Sequence, residues 1–161
     1  MKHLFIARHG NYSKIKEEYR LNDSGRQQME FLGKSMKEIL KGGSAKIISS
    51  TAPRALDSSE VLVPQLISPG FKAISYLWSG GDAPRGSFGD IPNLEELMII
   101  LNDEKDDAEG LIIVTHLEIV KSFSSYYFKK EFGGTEIVMP PSKGQAVHFD
   151  LEGRTYQILP R

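Results

Sequence analysis

The sequence predicts a three-layer α/β domain in which helices cover both faces of a mainly parallel central sheet. Three observations carry that expectation. Leu111-Ile112-Ile113-Val114-Thr115 is a continuous apolar run, the pattern of a strand buried on both faces. A similar run, Leu4-Phe5-Ile6-Ala7, opens the chain, and between the two lie segments whose apolar residues recur at helical spacing. The resulting alternation of strand and helix patterns is the signature of βαβ units.

Composition narrows the class. A length of 161 residues fits one domain, residues 1–161, with a full core. The net charge of −1 argues against nucleic acid as the principal partner, since binders of the phosphate backbone usually carry a basic surplus. Cysteine is absent, which excludes disulfides, thiolate catalysis and cysteine-ligated metal centres. No stretch approaches the roughly 18 apolar residues of a membrane span. The start, Met1-Lys2-His3-Leu4-Phe5, runs directly into a strand pattern without the apolar core of a signal peptide, so a cytoplasmic location is expected.

Taken in order, strand one covers Lys2 to Arg8 and ends in Arg8-His9-Gly10, where glycine permits a sharp turn. Asn11 to Arg20 is a mixed charge run and reads as a solvated loop. Asn22 is a candidate N-cap for a helix through Met29, Leu32, Met36, Ile39 and Leu40, which Gly42-Gly43 stops. Lys46 to Ser49 reads as a short buried strand. Thr51 is placed to cap the next helix, with Pro53 in its first turn, and that helix runs to about Leu66. Phe71 to Leu77 reads as a strand. Trp78 to Pro92 is a long loop rich in glycine, a length that is often functional. Asn93 with Glu96 marks a capping box for a helix to about Leu101. Asn102 to Gly110 reads as an acidic surface turn. His116 follows the apolar strand, and a helix through Ile119, Val120, Phe123 and Tyr127 comes next. Gly133 to Gly144 is rich in turns, and Ala146–Asp150 with Thr155–Leu159 reads as a hairpin around Glu152-Gly153.

Four groups therefore stand at strand ends or just beyond them: Arg8, His9, Arg54 and His116. In open α/β sheets that edge is where ligands bind. A neutral imidazole is a nucleophile toward phosphorus, and guanidinium forks match phosphate oxygens. Two arginines would offset a phosphoryl dianion, and positioning with charge stabilisation is most of what phosphoryl transfer requires.

The segments Arg8-His9-Gly10, Leu21–Gln28, Ser49–Glu60 and Val114-Thr115-His116 resemble the histidine phosphatase superfamily, also called phosphoglycerate mutase-like, in order and local context over about the whole chain. The resemblance implies His9 as the nucleophile, with Arg8, Arg54 and His116 cradling the phosphoryl group, and neither metal nor organic cofactor. It also implies a carboxyl that protonates the leaving group, in the loop after the third strand. Asp82 is the first candidate, with Asp90 and Glu95 behind it. Met29, Asp57, Ser58 and Ser59 depart from the family pattern and read as differences in helix packing. His116-Leu117 and the Gly80-Gly81-Asp82 loop look like the small bacterial phosphohistidine phosphatases. Gly10-Asn11-Tyr12 and the run around Arg54-Ala55 also suit protein serine/threonine phosphatases of the same superfamily.

The expected activity is hydrolysis of a phosphomonoester or phosphoramidate through a phosphohistidine on His9. The expected partner is a phosphorylated protein or a small phosphorylated metabolite, with no nucleic acid or membrane. A zinc site from His9, His116 and an aspartate is disfavoured, because two arginines beside a cation repel it and no metal-binding spacing occurs. The alternative from another class is a phosphate-binding relative with little turnover. His3 and His148 read as ordinary strand residues, and Ser142-Lys143-Gly144 as a basic surface turn. Asn11 reads equally as phosphate positioner or loop filler, and Trp78 as pocket wall or last core residue of its strand.

Overall fold

Alternation along the first strand explains the layering. Leu4 and Ile6 pack into one core, Phe5 and Ala7 into the other, and all four are fully buried. The computed structural model describes residues 1–87, 89, 91–105 and 108–160. In chain order the strands are β1 (His3–Arg8), β2 (Tyr12–Ile15), β3 (Glu18–Leu21), β4 (Ala45–Ser50), β5 (Phe71–Ile74), β6 (Gly110–Thr115), β7 (Ala146–Asp150) and β8 (Thr155–Leu159). The helices are α1 (Asp23–Leu40), α2 (Pro53–Leu62), α3 (Leu94–Glu104) and α4 (Leu117–Tyr127).

The main sheet has the order β5-β4-β6-β1-β7-β8. β1, β4, β5 and β6 are mutually parallel, and the β7–β8 hairpin closes one edge with β7 antiparallel to β1. Helices α1 and α2 cover the face that carries Phe5, Ile47 and Ile112. Helices α3 and α4 cover the face that carries Ile6, Ile48 and Ile113. This is the expected α/β architecture with a mainly parallel sheet. Its consequence for function lies in the order β4-β6-β1. Three adjacent parallel strands end at one edge, so the segments that follow Ser50, Thr115 and Arg8 must converge there.

The caps read from the sequence form at two helices. Asn22 Oδ1 accepts from Gly25 N at 2.9 Å, and Asn93 Oδ1 accepts from Glu96 N at 3.2 Å. Thr51 does not cap α2. The N-cap is Ala52, without a side-chain bond, and Ser50 Oγ accepts from the Ala52 amide instead. Helix α2 ends at Leu62 and tightens into a 3-10 turn over Val63–Gln65, short of the expected Leu66. β5 ends at Ile74, and Ser75–Leu77 is a 3-10 turn that folds Leu77 into the core.

Two expected surface segments are corrected. Asn11–Arg20 is not a loop: β2 and β3 pair as an antiparallel hairpin, with Lys16 taking up the positive φ of 56° in its turn. No glycine or asparagine marks that turn, and charged residues dominate the segment, so the pattern resembles solvated loop. What fixes the hairpin is tertiary. Arg20 donates to Asp57 Oδ1 at 2.6 Å, and the Leu21 amide donates to Asp57 Oδ2 at 3.0 Å, both reaching helix α2. The acidic segment after Leu101 is likewise not all surface. Helix α3 runs to Glu104, whose buried carboxylate meets Lys46 Nζ at 3.1 Å and also Lys72. Burial pushes that carboxyl up, and the two ammonium groups outweigh it and hold it below the ordinary glutamate range.

This triad ties α3 to β4 and β5, and losing the buried carboxylate would leave two lysines facing each other. Glu104→Ala is expected to cost about 1–3 kcal/mol by urea denaturation. Glu95→Ala, which removes an exposed pair with Lys130, should cost less than Glu104→Ala. Equal costs would mean that the triad is only a surface contact.

Candidate active site

At the carboxyl edge of β1, β6 and β4 the structure brings together His9, His116, Arg54 and Asp82. His9 is 4% exposed, Arg54 5% and His116 2%. The two imidazoles lie 5.1 Å apart, edge to face. His9 Nδ1 meets the carbonyl of Gly10 at 2.9 Å, and Arg54 Nε meets His9 Nε2 at 3.2 Å. A carbonyl only accepts and a guanidinium only donates, so Nδ1 carries the proton and Nε2 turns its lone pair toward the cluster. By the same logic His116 Nδ1 accepts from Arg54 at 3.2 Å, and its Nε2–H donates to Ser50 Oγ at 2.8 Å. Arg54 also grips Asp82 with both terminal nitrogens, at 2.7 and 3.0 Å, and the Trp78 indole donates to the same carboxylate at 3.3 Å.

Packing fixes these groups. The turn after His9 lies so close to the start of α1 that a Cβ on Gly10 would stand 2.6 Å from Gly25 O, and one on Gly25 would stand 2.0 Å from Asn11 O. Gly10 does not adopt a positive φ, so close approach, rather than a special turn conformation, is what requires glycine there. Ser58, one helical turn after Arg54, accepts from the Gly10 amide at 3.1 Å and donates to Arg54 O at 2.7 Å. Asp57 holds the hairpin that carries Tyr12, and Tyr12 presents its ring 5.2 Å from the His9 ring and 5.2 Å from the Arg54 guanidinium carbon. Asp57 and Ser58 thus position the site, and are more than the packing differences expected of them. Their spacing from Arg54 on one helix face was the available signal.

Arg8 ends β1 with its Nε buried and without a hydrogen-bond partner. Trp78 is partly buried against the α1/α2-side core while its indole holds Asp82. The Asn11 amide donates to Gln28 and its side chain to Ser24, which makes it a brace of the turn. Glu95 is committed to Tyr126 and Lys130. Asp90 lies outside the described residues. His148 is buried under Phe5 and bonded to His3 and Gln157 at the far end of β1, as befits strand residues. The Ser142–Gly144 turn is not merely surface, because Lys143 Nζ stands 4.3 Å over the Tyr12 ring. Among the described residues no group of three His, Asp or Glu converges as a metal site.

Burial, aided by the charges of Arg54, Arg8 and Lys143 and opposed by the Gly10 bond, lowers the His9 imidazole to about 3. Burial also drives His116 well below the ordinary histidine range, with His9, Arg54 and Arg8 adding to the effect. Burial pushes the Asp82 carboxyl up, but the bonds and charge of Arg54, with the Trp78 indole, hold it below the aspartate range. At neutral pH the cluster therefore holds two neutral imidazoles, an ionised carboxylate and guanidinium cations.

The architecture is a phosphoglycerate mutase-like fold, shared with solved structures of low sequence identity. The protein histidine phosphatase SixA, solved with tungstate, is similar at a TM-score of 0.67 and 13% identity, over 97% of this chain and 93% of that one. A mycobacterial glucosyl-3-phosphoglycerate phosphatase, solved with VO3, is similar at 0.64 and 15% identity, over 100% and 99%. YhfR of Bacillus stearothermophilus gives 0.58 and 19%, over 98% and 95%. In sequence, the mitochondrial serine/threonine-protein phosphatase Pgam5 of Drosophila yakuba is 35% identical over 69 residues, 40% of this chain and 23% of that relative's length. No protein-family model matches the chain. No described helix is long and apolar enough to cross a membrane.

The electrostatics give a direct test. With folded pKa values below the ordinary 6.5, neither His9 nor His116 should titrate between pH 8 and 5. Ring-nitrogen chemical shifts in 15N-labelled protein should stay at neutral-imidazole values, with the proton of His9 on Nδ1. A midpoint near 6.5 for either ring would overturn this account.

Proposed function

We propose that residues 1–161 act as a metal-independent phosphatase domain in the cytoplasm that hydrolyses a phosphomonoester or phosphoramidate, on a phosphorylated protein or a small phosphorylated metabolite, through a phosphohistidine on His9. The observation that carries this is the His9 tautomer: Nδ1–H is bound to Gly10 O, and the Nε2 lone pair faces the Arg54 guanidinium beside the second imidazole, that of His116. Two structural neighbours were solved with oxyanions, tungstate and VO3, which accords with it.

The steps follow from the geometry. Arg54 releases Nε2 as it takes phosphoryl oxygens, Arg8 supplies a second cation, and His116 stands across the site. Nε2 attacks phosphorus in line, the N–P bond forms, and the P–O or P–N bond to the leaving group breaks. The positive charge left on the ring is met at Nδ1–H by the Gly10 carbonyl. Asp82, displaced from Arg54 beside an anionic substrate, gains proton affinity, takes up a proton from solvent and passes it to the leaving atom, which departs with the electron pair of the broken bond. Water then attacks phosphorus, breaks the N–P bond and yields inorganic phosphate with His9 restored.

One observation favours a second reading, binding without turnover: Asp82 is ionised and paired in the free protein. Hydrolysis of p-nitrophenyl phosphate with chelator present separates the two. Wild type is expected to turn over, and His9→Ala to lose at least about a thousandfold in kcat. Activity that survives in the variant would place the nucleophile elsewhere, and a folded, inactive wild type that binds phosphate would establish the second reading.

Asp82→Asn removes both the competitor for Arg54 and the proton donor. It should bind inorganic phosphate about three- to tenfold tighter by calorimetry. It should also lose about 10- to 100-fold in kcat on an alkyl phosphate, with a smaller loss on p-nitrophenyl phosphate, whose leaving group needs no proton. Equal loss on both substrates would rule out the donor role.

A further inference from the structure

We propose that Lys143, held over Tyr12 at the rim of the cation cluster, is a substrate-binding residue that takes a second anionic group, a carboxylate lying beside the phosphoryl group. The inference rests on the phosphoryl-transfer reading above and adds to it the kind of substrate the site selects.

The turn that carries Lys143 is fastened to the nucleophile's own strand. The Gly144 amide donates to Arg8 O at 3.1 Å and to His9 O at 3.0 Å, and Ser142 and Gln145 close the turn by two further bonds. Gly144 has a φ of +72°, and a Cβ there would stand 2.4 Å from Gln28 Cβ. The register of the turn is therefore set by backbone contacts at His9 itself, and residue 143 is delivered to the site.

The Tyr12 ring then aims the side chain. It takes the Lys143 ammonium at 4.3 Å from its centroid, while His9 and Arg54 approach the same ring. A cation held on an aromatic face keeps its N–H donors free for another acceptor. Among the described residues no carboxylate supplies one: Asp82 is gripped by Arg54 and Trp78, and Glu118 accepts from Ser79. Burial lowers the ammonium's proton affinity, and the neighbouring charges of Arg8 and Arg54 lower it further. Three cations gathered at one rim repel one another, and an anionic ligand relieves that cost. The two arginines suffice for a phosphoryl dianion, which leaves Lys143 for a second anion.

Binding to the full chain, read by calorimetry, tests this with ligands whose C–P bond the protein cannot hydrolyse. Wild type should bind phosphonoacetate about tenfold tighter than methylphosphonate, the gain of one charge-assisted contact. Lys143→Met should bring that ratio within about twofold, and Lys143→Arg should keep it. An unchanged ratio in Lys143→Met, or no preference in wild type, would overturn the role of Lys143 alone. Failure of wild type to bind either phosphonate would overturn the phosphoryl-site reading together with it. Two phosphoserine peptides, with Asp or Ala beside the phosphoserine, identify the source of the carboxylate. A preference for Asp that Lys143→Met removes supports a neighbouring residue of a protein substrate. A preference confined to phosphonoacetate supports a small phosphorylated acid.

Discussion

The guanidinium of Arg54 is the interaction on which the rest of the site depends. Through its N–H groups it reaches His9, His116 and both oxygens of Asp82, so one side chain fixes the tautomers of two imidazoles and the ionisation of a carboxylate. Arginine suits this place because its donors are spread in a plane and it stays charged when buried. A lysine there could neither address three partners at these angles nor keep its proton as readily. In the proposed reaction the same guanidinium takes the phosphoryl anion, so ligand binding and the release of His9 Nε2 would be one event.

Arg54 can play this part only because the sheet order brings it there. β4, β6 and β1 are adjacent and parallel, and their ends deliver Arg54, His116 and His9 from three distant parts of the chain. Pro53 opens α2 so that Arg54 falls in its first turn, aimed back over the strand ends. Gly10 and Gly25 let the turn after β1 press against α1, and Ser58 bonds that turn to α2. Backbone packing thus holds the His9 imidazole on one side and the guanidinium on the other, the preorganisation that the proposed reaction requires.

Much of this was legible in the sequence, and the failures have a common cause. The buried strands and the caps at Asn22 and Asn93 follow from local patterns, and the convergence of Arg8, His9, Arg54 and His116 followed from their common position after strands. The β2–β3 hairpin was not legible, because the contact that fixes it, Arg20 and Leu21 to Asp57, spans the sequence between the hairpin and α2 and leaves no periodic trace. Glu104 was hidden for the same reason, since its lysines lie on β4 and β5. Gly10 was placed correctly for the wrong reason: its neighbour is Gly25, which no reading of the turn alone would reveal. Lys143 looked like surface because its partner ring is on the unrecognised hairpin.

Those missed elements share a position in the molecule: they frame the site without entering its central cluster. The strand-end groups are dictated by what phosphorus chemistry demands and sit where any open parallel sheet would put them. The hairpin and the Ser142–Gln145 turn border that edge, each fastened by a few bonds to α2 or to β1. In the proposed reaction they would shape what surrounds the phosphoryl group rather than how it is attacked. Tyr12 links the two levels, because one ring touches the nucleophile, the central guanidinium and the outer ammonium. A displacement of the hairpin would therefore reach His9 and Lys143 together, and Asp57, the residue that anchors the hairpin, lies on the same helix as Arg54. On the proposed reading, selectivity and reactivity would therefore be coupled through α2.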